Sequence, residues 1–160
     1  MKKLLGILVL GLLVSSCIAT GKQTLSVDEK ISASKIIALN VYSGGPWMRE
    51  VEKRLKQAGF TVLRSAGTNE AIEVEGKKII KYNEASTRYF LLIDALAAVD
   101  WGHRCFGGGY TFDYINADLI DLATNQTIAS IEGRGYSEGC PPMSGTIYGD
   151  ITKMIVDSWE

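Results

Sequence analysis

The chain has 160 residues, 17 Lys and Arg against 18 Asp and Glu, a formal net charge of −1 and 46% apolar residues. That length holds roughly one domain with a sizeable core, and the composition excludes a disordered chain. Near-zero net charge argues against a nucleic-acid binder, which carries a basic excess.

The first element is an address. Lys2 and Lys3 form a short positive region, Leu4 to Val14 is apolar, and Ser15, Ser16 and Cys17 follow. This is the layout of a secretory signal peptide over residues 1–16. The apolar run is shorter than the roughly 20 residues that cross a bilayer as a helix.

Val14-Ser15-Ser16-Cys17 resembles the lipobox of bacterial lipoproteins. The resemblance implies a diacylglyceryl group on the Cys17 thiol, cleavage before Cys17, and a further acyl chain on the new N-terminus. Two or more chains anchor stably where one holds marginally. Lipoproteins kept in the inner membrane usually carry Asp after the Cys. Ile18 stands there here, so the resemblance implies the inner leaflet of the outer membrane, with the domain in the periplasm. A plain secretory signal with an incidental Cys is the alternative.

Loss of residues 1–16 removes Lys2 and Lys3, so 15 basic groups face 18 acidic ones, a net charge of −3. The lipid, not a basic patch, then holds the chain at the membrane. Residues 17–33 are expected to be the lipidated Cys and a flexible tether, since Ala19 to Lys30 is polar without a sustained apolar pattern. Residues 34–160 are expected to form a single domain.

Lys35 to Val41 is a short apolar run that predicts a buried strand. Pro46 is placed at the first position of a helix, in which Trp47, Val51, Leu55 and Ala58 share one face. Arg49, Glu50, Glu52, Lys53, Arg54, Lys56 and Gln57 take the other sides, and Gly59 ends the helix. Phe60 to Arg64 follows as a strand. In Ala71 to Tyr82, Glu75-Gly76-Lys77 separates two part-apolar runs, which predicts a hairpin; a helix over Ile79 to Ser86 is the alternative.

From Arg88 the period becomes two. Leu91, Ile93, Ala95, Ala97 and Val99 face one way. A strand from Tyr110 to Leu122 sets Ile115, Ala117 and Leu119 against Tyr114, Asn116 and Asp118. A turn at Thr124-Asn125-Gln126 leads to a strand from Thr127 to Ser137, completing an antiparallel meander. Ser144 then caps a closing helix with Ile147, Ile151, Met154, Ile155 and Ser158 on one edge.

The predicted fold is α+β: a mixed sheet with a long antiparallel C-terminal meander, and two helices packed on one face. The order, with Asp121-Leu122-Ala123-Thr124-Asn125-Gln126-Thr127-Ile128, resembles small periplasmic lipoprotein domains with the fold of the TolB N-terminal domain. Curli-secretion lipoproteins and activators of penicillin-binding proteins share that shape. The chain also resembles a family of proteobacterial lipoproteins with this Cys and Gly pattern. Those domains often carry Thr-Gly at the turn, where Thr124-Asn125 stands here.

Two cysteines remain once Cys17 is acylated. A turn joining Leu122 to Thr127 sets Tyr110 opposite Gly139, so Cys105 and Cys140 fall at one end of the sheet. An oxidising compartment then favours a disulfide; a redox pair usually shows Cys-x-x-Cys, which is absent. His103 is the only histidine, too little for a tetrahedral zinc site. No metal and no cofactor is expected, and no Gly-x-Ser-x-Gly elbow marks a nucleophile. Gly107-Gly108-Gly109 is read as a loop serving Cys105. Ser43-Gly44-Gly45 is read as a tight turn, without the Lys or Ser/Thr of a phosphate loop.

Trp101, His103, Arg104, Arg134 and Glu138 are placed at this same end as a ligand or partner surface, or else a salt-bridged rim. The expected function is that of a non-catalytic accessory module binding an envelope protein and held to the membrane by its lipid. The alternative is a small-ligand, glycan-binding or enzymatic domain using the 101–110 and 134–140 loops.

Overall fold

A computed structural model describes residues 22–25, 30–40, 45–65, 71–75, 78–82, 87–97 and 104–160. Its strands are β1 (Lys22–Leu25), β2 (Ile36–Asn40), β3 (Thr61–Ser65), β4 (Ala71–Glu75), β5 (Lys78–Tyr82), β6 (Tyr89–Ala97), β7 (Thr111–Asp121) and β8 (Gln126–Tyr136). Its helices are α1 (Met48–Gln57) and α2 (Ile147–Ser158). Six strands form one sheet in the order β1-β8-β7-β6-β2-β3, and β4 and β5 pair as a separate antiparallel hairpin. β2 is parallel to both β3 and β6, whereas β6, β7 and β8 form the antiparallel meander. The fold is therefore α+β with a mixed sheet. Among the described residues no helix is long and apolar enough to cross a membrane.

Alternation decides which face is covered. Ile37 and Leu39 of β2, Leu91 and Ile93 of β6, and Ile115, Ala117 and Leu119 of β7 are all buried against the helices. Val51 and Leu55 of α1 and Ile147, Ile151, Met154 and Ile155 of α2 fill the other side. Each of these Val, Leu, Ile and Met side chains contributes about 1.5–3 kcal/mol by leaving water. The opposite face is open, with Leu92, Leu96 and Tyr114 exposed. Asn40 extends the ladder there: its side-chain amide donates to the Ile93 carbonyl and accepts from the Ile93 N–H, both at 2.9 Å.

Several expectations need correction. Lys22–Leu25 is not tether: it pairs antiparallel with β8 as the sheet's edge strand. Its pairing uses backbone groups, which leave no apolar signature in a polar stretch. Ile31 is also part of the domain, its N–H donating to the Ser158 carbonyl at 2.8 Å. Pro46 sits in the turn before α1 rather than inside it, and Trp47 is the N-cap. Ser144 does not cap α2. Thr146 stands at the cap, and the Ser144 hydroxyl accepts from the Cys140 N–H at 3.0 Å. Glu52, placed with the solvent-facing residues, is buried and ion-paired with Lys56 at 2.7 Å and with Arg64 of β3 at 2.6 Å. Val41 and Val99 lie outside the described residues.

Gly59 does end α1. It holds φ +90°, its N–H donates to the Lys56 carbonyl at 3.1 Å, and the Phe60 N–H donates to the Leu55 carbonyl at 3.0 Å. This double closure satisfies two orphan carbonyls and turns the chain into β3. The β7–β8 turn spans Leu122 to Asn125, with Asp121 opposite Gln126. Asn125 adopts φ +56°, the left-handed conformation that Gly takes freely and Asn tolerates.

Asp121 anchors this end. Its carboxylate accepts from Arg88 at 2.8 and 2.7 Å and from the Ala123 N–H at 2.9 Å. The Arg88 hydrogen bonds, foremost, hold its carboxyl down to about 2. The folded value lies below the unfolded one of about 3.9, so this stabilisation is whole above about pH 4 and is lost as pH falls through 2. Asp121→Asn is expected to lower the urea midpoint at pH 6 and to lose less than the wild type between pH 4 and pH 2. Parallel losses in both proteins would show that Asp121 is not a source of the acid sensitivity.

Candidate functional site at the disulfide end

The candidate site is built where the loop before β7 meets the loop after β8. Cys105 and Cys140, 35 residues apart, are joined by a disulfide with Cα atoms 4.9 Å apart. Hydrogen bonds reinforce the clamp. The Gly109 N–H donates to the Gly139 carbonyl at 3.0 Å, the Cys105 N–H to Gly109 at 3.0 Å, and the Ser137 N–H to Tyr110 at 2.9 Å. The buried Ser137 hydroxyl accepts from the Tyr110 N–H at 2.9 Å and donates to the Glu138 carbonyl at 3.0 Å. The loops touch so closely that a Cβ on Gly109 would lie 2.3 Å from the Glu138 carbonyl oxygen and 2.7 Å from Cys140 Sγ. Gly109 is thus required for backbone approach. Phe106, at the loop tip, is fully exposed.

Glu138 organises the base of the site. Its carboxylate accepts from the Tyr148 N–H at 3.1 Å and the Gly149 N–H at 2.8 Å, the second and third residues of α2. A distant carboxylate therefore does the work of a local N-cap and faces the positive end of the helix dipole. Glu138 also pairs with Arg54 of α1 at 3.3 Å, and Arg54 holds Glu50 at 2.9 Å. The Arg54 hydrogen bond, foremost, lowers the Glu50 carboxyl below its usual value, with burial opposing.

Beside this chain of charges opens a cleft of about 580 Å³. α1 contributes Arg49, Lys53 and Arg54, the disulfide loop contributes Arg104, and Trp47, Tyr110 and Tyr148 form aromatic walls. The Arg104 guanidinium lies over the Tyr110 ring, 5.8 Å from its centroid. Arg49 and Arg104 are exposed and make no ion pair among the described residues. The Tyr148 hydroxyl is buried close to Ser137 and Glu138, without a well-formed hydrogen bond among the described residues. Burial, foremost, pushes its phenol well above the usual value; the Ser137 hydroxyl opposes this.

Of the five surface residues expected from sequence, Arg104 and Glu138 meet in this cleft. Trp101 and His103 lie outside the described residues, as do Ser43 and Gly44. Arg134 is exposed on β8 and lines no part of the cleft. Strand alternation explains this: Ile131 faces the core, so Arg134 is turned to the sheet's open face. The sequence reading missed Arg49, Arg54 and Tyr148, because only the docking of α1 against α2 brings them here. Among the described residues no three of His, Cys, Asp and Glu group as metal ligands.

No protein-family model matches the chain, and no curated protein matches it. Among solved structures the chain is similar to a PelC dodecamer from Paraburkholderia phytofirmans, with 16% identity over 88% of this chain and 95% of that one and a TM-score of 0.45. It is similar also to a leucine-to-methionine variant of that PelC, with 15% identity over 88% of this chain and 94% of that one and a TM-score of 0.45.

Proposed function

We propose that this chain is a lipid-anchored accessory module of the outer membrane, facing the periplasm, that binds an envelope protein and carries out no chemistry of its own. The observation that carries the reading is the state of the charges at the disulfide end. Both carboxylates lining the cleft, Glu50 and Glu138, are ion-paired with Arg54, and Glu138 is further occupied by two backbone N–H groups. Both are engaged in holding α1, α2 and the disulfide loops together. The groups that remain available, Arg49 and Arg104, are recognition groups of the kind enriched at protein interfaces. Arg49, Lys53, Arg54, Arg104, Glu50 and Glu138 line the cleft, whereas small-molecule pockets are predominantly apolar.

Affinity purification of the acylated chain from solubilised membranes tests this. A protein partner is expected at fixed stoichiometry, lost from an Arg49→Glu/Arg104→Glu variant that folds normally. A partner retained equally by that variant would remove the cleft from the reading. A glycan or metabolite whose binding that variant abolishes, with no protein recovered, would replace it by the small-ligand alternative.

The anchor has its own test. Cys17→Ser is expected to leave the chain unprocessed or to release it from the membrane fraction, because the acyl chains supply the affinity. A Cys17→Ser chain that still fractionates as a processed, acylated membrane protein would contradict the lipobox assignment.

A further inference from the structure

We infer that the disulfide-clamped end is turned toward the bilayer that holds the lipid anchor, and that Phe106 is its contact with the membrane interface. The inference rests on the lipid-anchor reading above and adds the side on which the domain meets the membrane.

β1 runs antiparallel to β8, with Lys22 opposite Glu132 and Leu25 opposite Ala129. The start of β1 therefore lies toward the β8 end that leads into Cys140. Cys17 precedes Lys22 by five residues, a reach of at most about 18 Å when fully extended. From Glu132 the sheet continues four residues to Tyr136, about 14 Å. In the other direction it continues six residues to Gln126, about 20 Å, with the Leu122–Asn125 turn still beyond. A lipid on Cys17 can thus pass the Tyr136 end of β8, beyond which the disulfide loops lie, and it falls short of the turn end.

The chemistry of the disulfide end agrees. Phe106 is fully exposed at the tip of a loop fixed by the disulfide and by the Gly109–Gly139 hydrogen bond. An exposed aromatic on a pre-ordered loop suits the headgroup boundary. The cleft opens beside Phe106 and stays available to the protein partner.

The test uses the full acylated chain in vesicles of phosphatidylethanolamine and phosphatidylglycerol. A photoreactive amino acid replaces Phe106 in one preparation and Leu122, half-exposed in the β7–β8 turn, in another. Lipid adducts are expected from position 106 and none from position 122. Lipid adducts from both, from neither, or from 122 alone overturn the inference, as does a protein adduct in place of lipid at 106. Intact mass before irradiation separates the two layers of the argument. A chain without acyl groups on Cys17 overturns the anchor reading itself, whereas an acylated chain without lipid adducts at 106 overturns only the orientation.

Discussion

Replacing both Cys105 and Cys140 by alanine is expected to lower stability by about 4 kcal/mol, on the loop-entropy model for a 35-residue closure. For a domain of this size that corresponds to a fall in melting temperature of roughly 10–20 °C. The far-ultraviolet circular dichroism spectrum at 20 °C is expected to be unchanged. The reason is the position of the bridge: it lies at one end of the sheet, while Leu91, Ile93, Leu119, Ile151 and Ile155 are buried away from it. The double variant avoids leaving a buried thiol at Cys140, which is almost wholly covered. Mass mapping without reductant is expected to recover the Cys105 and Cys140 peptides as one species in the wild type. An unchanged melting temperature, or two free thiols in oxidising buffer, would contradict the clamp on which the candidate site is built.

Phe112→Ala is expected to cost about 3–5 kcal/mol, the range for emptying a buried aromatic site. Phe112 is buried, with its ring 5.4 Å from Trp47 and 6.1 Å from Tyr148, both edge-on. Such pairs add about 0.5–1.5 kcal/mol beyond area. The position is informative because simple alternation fails there. Ile115, Ala117 and Leu119 face the core, so a regular strand would turn Phe112 outward with Tyr114. Instead the β7–β8 register slips between Phe112 and Ile115, so that both side chains face the core. Tyr114→Ala, on the open face, is expected to change stability by less than about 1 kcal/mol. Urea midpoints for the two variants give the comparison. Equal effects would mean that the bulge is wrongly placed.

That bulge marks the limit of what the sequence discloses. β6, β7 and β8 are legible because Leu91, Ile93, Ile115, Ala117 and Leu119 alternate with polar residues, which is the signature of a sheet covered on one face. Gly59 is legible because a helix whose apolar face ends at Leu55 and Ala58 needs a left-handed closing residue. The hairpin of β4 and β5 follows from Gly76 between two short runs. Bulges carry no such mark: the second slip, between Leu119 and Ile120, buries the neighbours Ile128 and Ala129 together. β1 is equally silent, because an edge strand is selected by the backbone groups of its neighbour.

The site shows the same division. Cys105 and Cys140 could be brought together from strand register, which tolerates an error of one or two residues at a shared end. Glu138 could be placed there but not given its task. It caps a helix whose own Thr146 makes no side-chain cap hydrogen bond, and where Gly149 stands in place of the Glu or Gln of a capping box. Nothing local announces that the missing acceptor comes from the preceding loop. Arg49, Arg54 and Tyr148 enter the cleft through the packing of α1 on α2, a contact between segments roughly 90 residues apart that no short motif encodes.

The central claim is that the disulfide end is a binding surface for an envelope protein. The most direct measurement is photo-crosslinking in cells from a photoreactive amino acid at Arg49, on the cleft rim of the full-length chain, with Leu122 as the opposite-end comparison. The account predicts one discrete protein adduct from position 49 and none from position 122. No adduct from position 49, or the same adduct from both positions, would contradict it.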